Sequence, residues 1–182
     1  MPTPITTYDP MMRMLHLIMA LAMITLLGMG LYMSDLEPSP AKWQIYGIHK
    51  AIGMLVLAFV IFRIFWRSTH AVPAPLVSQK KWEIMLAKLV HVLLYAGMLL
   101  MPISGYVMSA AGGHAISIFG LMDVPLLIEK NEDLGKIAKE AHEIGGNLVI
   151  GAIALHFLGA LKHHFIDKDK TLSRMFACGR CR

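Results

Sequence analysis

Nine histidines punctuate this chain of 182 residues. Five of them, His16, His49, His91, His142 and His156, fall within or at the ends of long apolar runs. Ionisable side chains inside a bilayer are costly, and their default reading is functional. One such histidine reads equally well as a hydrogen-bond partner between helices. Five are hard to dismiss that way. Imidazole offers one ring nitrogen to a metal while the other orients the ring.

His142 and His156 are 14 residues apart, close to four helical turns, so they share one face at levels roughly 21 Å apart. Gly145, Gly146, Val149, Ala152, Ile153, Gly159 and Ala160 lie on that face. Tight helix packing also uses small residues. A histidine at each end of the stripe favours a flat cofactor at each level. A facing helix must supply each second axial ligand. His49 is level with His142, and Gly53 follows at i+4 on the same face, so these two histidines form the natural outer pair. The inner partner of His156 is His16 or His91, which depth does not separate. Bis-histidine iron in haem fits two ligands at each of two depths, whereas zinc usually takes three or four convergent ligands. No Cys-x-x-Cys-His motif is present, so attachment would be non-covalent, as in haem b.

Four stretches position these residues, each of about the 20 apolar residues that a spanning helix needs. They run roughly over 12–33, 45–66, 84–110 and 141–162. The expected fold is all-α, a transmembrane four-helix bundle forming one domain over 1–182, with a kink at Pro102. Residues 131–140 read as a short surface helix leading into the fourth span. The first run, Met11 to Met33, is too long for a cleavable signal peptide.

Only 16% of residues are charged, against about a quarter in soluble domains. The net charge of +5 comes from Lys and Arg beside the apolar runs, with no aromatic-interleaved basic stripe for nucleic acid. Twelve of these cations fall on the side of the termini and the 67–83 loop, and five on the other. The positive-inside rule then puts both termini in the cytoplasm. Cys178 and Cys181 sit in the tail with no second ligand pair, and read as incidental thiols. His70 and His114 lie in loops and receive no cofactor role.

Several segments together resemble the bacterial cytochrome b561 family of four-helix di-haem inner-membrane proteins. They are Arg13 to His16, Gly47 to Gly53, Leu89 to Tyr95 running on to Pro102–Gly105, His142-Glu143, and Leu155 through Phe165 to Leu172. The resemblance covers roughly Tyr8 to Met175. It implies that His16 pairs with His156 and His49 with His142, giving four iron ligands and two haem b groups. One branch of the family is a superoxide oxidase, which passes electrons from superoxide at the periplasmic face to ubiquinone near the cytoplasmic face. That branch is the expected activity.

Lys50, beside the outer ligand, is the candidate for steering superoxide, although a lysine there also reads as one reaching for the interface. His91, Lys88, Lys162 and His163 are candidates to surround the quinone and hand it protons. His163 and His164 also read as a solvated helix end complementing the helix dipole. Two further readings compete: a non-catalytic carrier between quinol and a redox partner protein, and a histidine-rich metal transporter without haem.

Overall fold

Helices in this chain begin where a polar residue can take up free amide groups, and only then enter their apolar runs. The computed structural model describes residues 6–76 and 78–176, so Cys178 and Cys181 lie outside the described residues. Helix α1 spans Pro10–Ser34, with Asp9 accepting from the Met12 amide at 2.9 Å. Helix α2 spans Pro40–Thr69, capped by the Ser39 hydroxyl on the Lys42 amide at 3.2 Å. Helix α3 spans Lys81–Ala111 and runs through Pro102; Glu83 accepts from the Lys80 amide at 2.9 Å. Helix α4 spans Glu132–Phe165, capped by Asn131 on the Leu134 amide at 3.0 Å. Prolines at the first turns of α1 and α2 cost nothing, because those amides have no partner within the helix.

All four helices are long and apolar enough to cross a membrane, and the protein is a multi-pass membrane protein of mainly helical architecture. Each helix exceeds the expected apolar run, since polar residues at both ends continue the helix where lipid gives way to headgroups and water. The largest difference is at residues 131–140. No separate surface helix forms there; Asn131 starts α4 and the helix continues unbroken into the span. Glu132 and Asp133 in its first turn, and Lys162, His163 and His164 in its last, complement the helix dipole.

Two small elements were not legible as periodicity. Strands β1, Ile116–Ile118, and β2, Met122–Val124, form an antiparallel hairpin between α3 and α4. Phe119 and Gly120 take positive φ in its turn. The hairpin lies against α2 and lines with it a cleft of about 320 Å³ beside Gly47 and Ile48. After α4, helix α5 covers Thr171–Phe176.

One end of the bundle gathers the chain's beginning, the α2–α3 connection and α5, and is called here the terminal end. There the Tyr8 amide donates to the Arg174 carbonyl at 3.3 Å, and Arg174 Nη1 donates to the Ala74 carbonyl at 2.7 Å. The hairpin lies at the opposite, loop end. Outward faces carry large apolar residues such as Leu93, Leu100, Phe157 and Leu158, the surface that lipid requires.

Packing is by pairs: α4 along α3, α1 along α2, and α2 along α3. A central apolar layer of Met23, Val56 and Val149, flanked by Met98, Met101 and Ile153, joins all four helices. Gly97 lets Val149 seat directly on the α3 backbone, and Gly145 similarly faces Met101 Sδ. Counting seven residues either way from that layer gives a regular result. Towards the loop end lie Gly30, His49, Gly105 and His142; towards the terminal end lie His16, Arg63, His91 and His156. Seven residues are nearly two turns, about 10 Å of rise, and keep a helical face turned to its neighbours.

Candidate cofactor site

The apolar layer separates two histidine levels. At the loop end, the rings of His49 and His142 have centroids 6.3 Å apart and planes inclined at 69°. At the terminal end, His16 and His156 stand 6.0 Å apart, also at 69°. With metal–nitrogen bonds of about 2 Å, imidazoles on opposite sides of one ion have ring centres about 6 Å apart. Both pairs therefore fit a metal held between them.

Local contacts prepare the loop-end rings for that role. His142 Nδ1 lies 3.0 Å from the Met101 carbonyl and 3.1 Å from Ser104 Oγ. A carbonyl only accepts, so Nδ1 carries the proton and Nε2 keeps its lone pair. Space is made by glycine: a Cβ at Gly105 would stand 3.3 Å from His142 Cε1, and one at Gly30 would stand 3.7 Å from His49 Cε1. His49 Nδ1 is buried with no hydrogen-bond partner among the described residues. A Cβ added at Gly53, one turn beyond His49, or at Gly159, near His156, would meet open space. Open space beside the ligand positions is what a macrocycle needs.

The terminal-end level differs in having a third imidazole. His91 lies 5.3 Å from His156, at 61°, so the structure brings both sequence candidates to the same histidine. Arg63 completes the level. Its Nε donates to Tyr95 Oη at 3.1 Å and its Nη1 to the Met12 carbonyl at 3.3 Å. Arg63 escapes a search for ligand types, and the step His49–Val56–Arg63 is the signal that finds it.

A family model described as prokaryotic cytochrome b561 matches residues 7–177. The chain belongs to the prokaryotic cytochrome b561 family. Among its relatives, "Cytochrome b561 homolog 2" of Escherichia coli K12 is 34% identical over 161 residues, covering 88% of this chain and 86% of the relative. "Cytochrome b561 homolog 1" of the same organism is 30% identical over 127 residues, covering 70% and 72%. "Probable superoxide oxidase CybB" of Yersinia pestis is 30% identical over 128 residues, covering 70% and 72%. Membership of the cytochrome b561 family makes this a membrane electron-transfer protein of oxidoreductase type, and implies haem b. The paired imidazoles and the open space at Gly53 and Gly159 fit that group.

The remaining candidates of this cytochrome b561 protein divide between the two ends. At the loop end, the half-buried Lys50 does not simply reach for solvent. Its Nζ donates to Ser109 Oγ at 2.9 Å, and that hydroxyl donates to the His114 carbonyl at 2.8 Å. At the terminal end, Lys162 pairs with Glu83 and, at 2.8 Å, with Asp167. His163 Nδ1 lies 2.9 Å from Asp167 and 2.8 Å from Asp169, with its side chain only 13% exposed. It is therefore a held residue of a charged cluster, unlike the exposed His164. Burial alone would raise the Asp169 carboxyl, but the Thr171 hydroxyl and amide, with His163, outweigh it and hold that carboxyl below its ordinary value. Lys88 is exposed on α3.

Proposed function

We propose that this protein is a di-haem superoxide:quinone oxidoreductase of the bacterial inner membrane, with both termini and the terminal end in the cytoplasm and the loop end in the periplasm. The observation that carries the di-haem reading is the repeated pair geometry, 6.3 and 6.0 Å at the same 69°. His49 and His142 would be the periplasmic ligands, and His16 and His156 the cytoplasmic ones. His91, on the helix that packs directly along α4, stands closer to His156 than a shared ion favours. It is left outside the ligand set, beside the cytoplasmic site.

Two superoxide anions lose one electron each to become dioxygen, and one ubiquinone gains two electrons and two protons. Haem b, when bound, supplies the one-electron relay that joins the two half-reactions. The protein's own residues supply access and protons. Lys50, tethered by Ser109, fixes a positive charge near the periplasmic pair and attracts a small anion. His163, held by Asp167 and Asp169, and His91 beside His156 are the proton-bearing groups at the quinone end. The superoxide assignment is supported by the relative named as a probable superoxide oxidase and by this cation.

The test is a superoxide pulse on purified protein, following haem absorbance. Haem reduction is expected to outrun spontaneous dismutation, and added ubiquinone is expected to reoxidise the haems. Lys50→Gln should slow the first phase several-fold and flatten its dependence on ionic strength, since a steering charge is screened by salt. Haem reduction no faster than dismutation would sink the superoxide reading and leave a carrier between quinol and a redox partner.

A further inference from the structure

The two histidine levels are matched in geometry but not in charge. At the terminal-end level, Arg63 lies within electrostatic reach of His16, His91 and His156, and Arg67, one turn further along α2, within reach of His91 alone. Its hydrogen-bond partners, Tyr95 Oη and the Met12 carbonyl, are neutral. No ion pair involving Arg63 occurs among the described residues. A guanidinium is a permanent cation, so the half-buried Arg63 places a full positive charge at this level.

The loop-end level has Lys50 beside it, but no cation bears on His49 or His142 as Arg63 bears on the terminal-end histidines. The charged group bearing on His142 is its chain neighbour Glu143, a carboxylate exposed and paired with Lys139 at 3.7 Å. Lys50, the cation of that end, is drawn to Ser109 on α3. Counted seven residues from the apolar layer, Gly30 on α1 and Gly105 on α3 take the places of His16 and His91 at the other level, and the α2 counterpart of Arg63 is His49 itself.

We infer that Arg63 sets the order of the two haem potentials, making the terminal-end haem the better electron acceptor, so that transfer from the loop end to the terminal end runs downhill. Adding one electron to a haem lowers its positive charge by one unit. A fixed cation nearby favours the reduced form, and it does so most where little water screens it. Net charge and the hydrogen bonds made to the iron ligands are the protein's means of tuning a haem. Here the charge is anchored from both sides, by α1 through Met12 and by α3 through Tyr95, so it cannot swing away. This inference rests on the di-haem reading above.

Redox titration of the purified holoprotein tests it, with haem-to-protein stoichiometry measured alongside. Wild type should show two haems and two one-electron transitions. In His142→Ala, one haem should remain, and its transition should be the higher of the two. Arg63→Met in that background should move the surviving transition to lower potential by at least tenfold in the reduction equilibrium, about 59 mV for one electron. Arg63→Lys should keep most of the wild-type value, which a purely structural role would not predict. A surviving transition that is the lower of the two overturns the inference, even if Arg63→Met does not fold. So does an unchanged potential in a folded Arg63→Met protein. Fewer than two haems in wild type overturns instead the reading beneath it, and is seen in the stoichiometry alone.

Discussion

At the scale of single residues, this site depends as much on absent side chains as on present ones. Gly105 leaves the His142 ring its place, because even a methyl group would press on Cε1 at 3.3 Å. Valine at 105 would bring two further carbons against the ring and turn it away from His49. Gly105→Val is therefore expected to lower bound haem from two per chain towards one, as read by pyridine haemochrome against protein concentration. The remaining haem should keep a six-coordinate low-spin spectrum. Unchanged stoichiometry would remove His142 from the ligand set. Histidines were legible because imidazole in lipid has few other reasons to be there. The glycines opposite them were not, since glycine in a membrane helix most often reports packing. Gly30 gains its meaning only from lying against His49.

Elements matter here through the seam between α3 and α4. Gly97 and Val149 meet in the apolar layer that separates the two levels, and no Cβ fits at 97 without displacing valine. Gly97→Ala should destabilise the bundle by about 1–3 kcal/mol, the usual cost of overpacking. Thermal unfolding in detergent should show the loss, and Val149→Ala in the same chain should recover most of it. Failure of that rescue would mean the seam is not where the strain falls. The spans themselves were readable from length and composition, but their ends were not. Asn131 begins α4 two and a half turns earlier than the apolar run does, because a capped amphipathic turn is stable outside lipid when it continues an existing helix. The hairpin of β1 and β2 escaped because strands of three residues are too short to show a period.

For the whole molecule, the question is which end faces which compartment. Twelve basic residues against five support the proposal that the terminal end faces inside, and the proposed direction of electron flow depends on it. Leu127 at the loop end is 81% exposed and makes a suitable reporter. In a chain with Cys178 and Cys181 replaced by serine, Leu127→Cys should react with an impermeant maleimide applied to cells with a permeabilised outer membrane. A cysteine in place of Ser68, exposed near the end of α2, should react only after the inner membrane is opened. The reverse pattern would invert the proposed orientation and put Lys50 on the cytoplasmic side.

The sequence by itself determined four spans and two histidine levels on α4, because helical periodicity is a local property of the backbone and His142 and His156 share one helix. It also carried the family, since the matching segments run along nearly the whole chain. Tertiary structure decided what stands around each level. It brought His91 as well as His16 to His156, tied Lys50 to Ser109, and set Arg63 against Met12 and Tyr95 at the terminal-end level. Those facts depend on how each helix is rotated about its axis relative to its neighbours. That rotation is chosen by contacts such as Gly97 on Val149 and Gly145 on Met101, which join residues far apart in the chain and leave no trace in the period of any one helix.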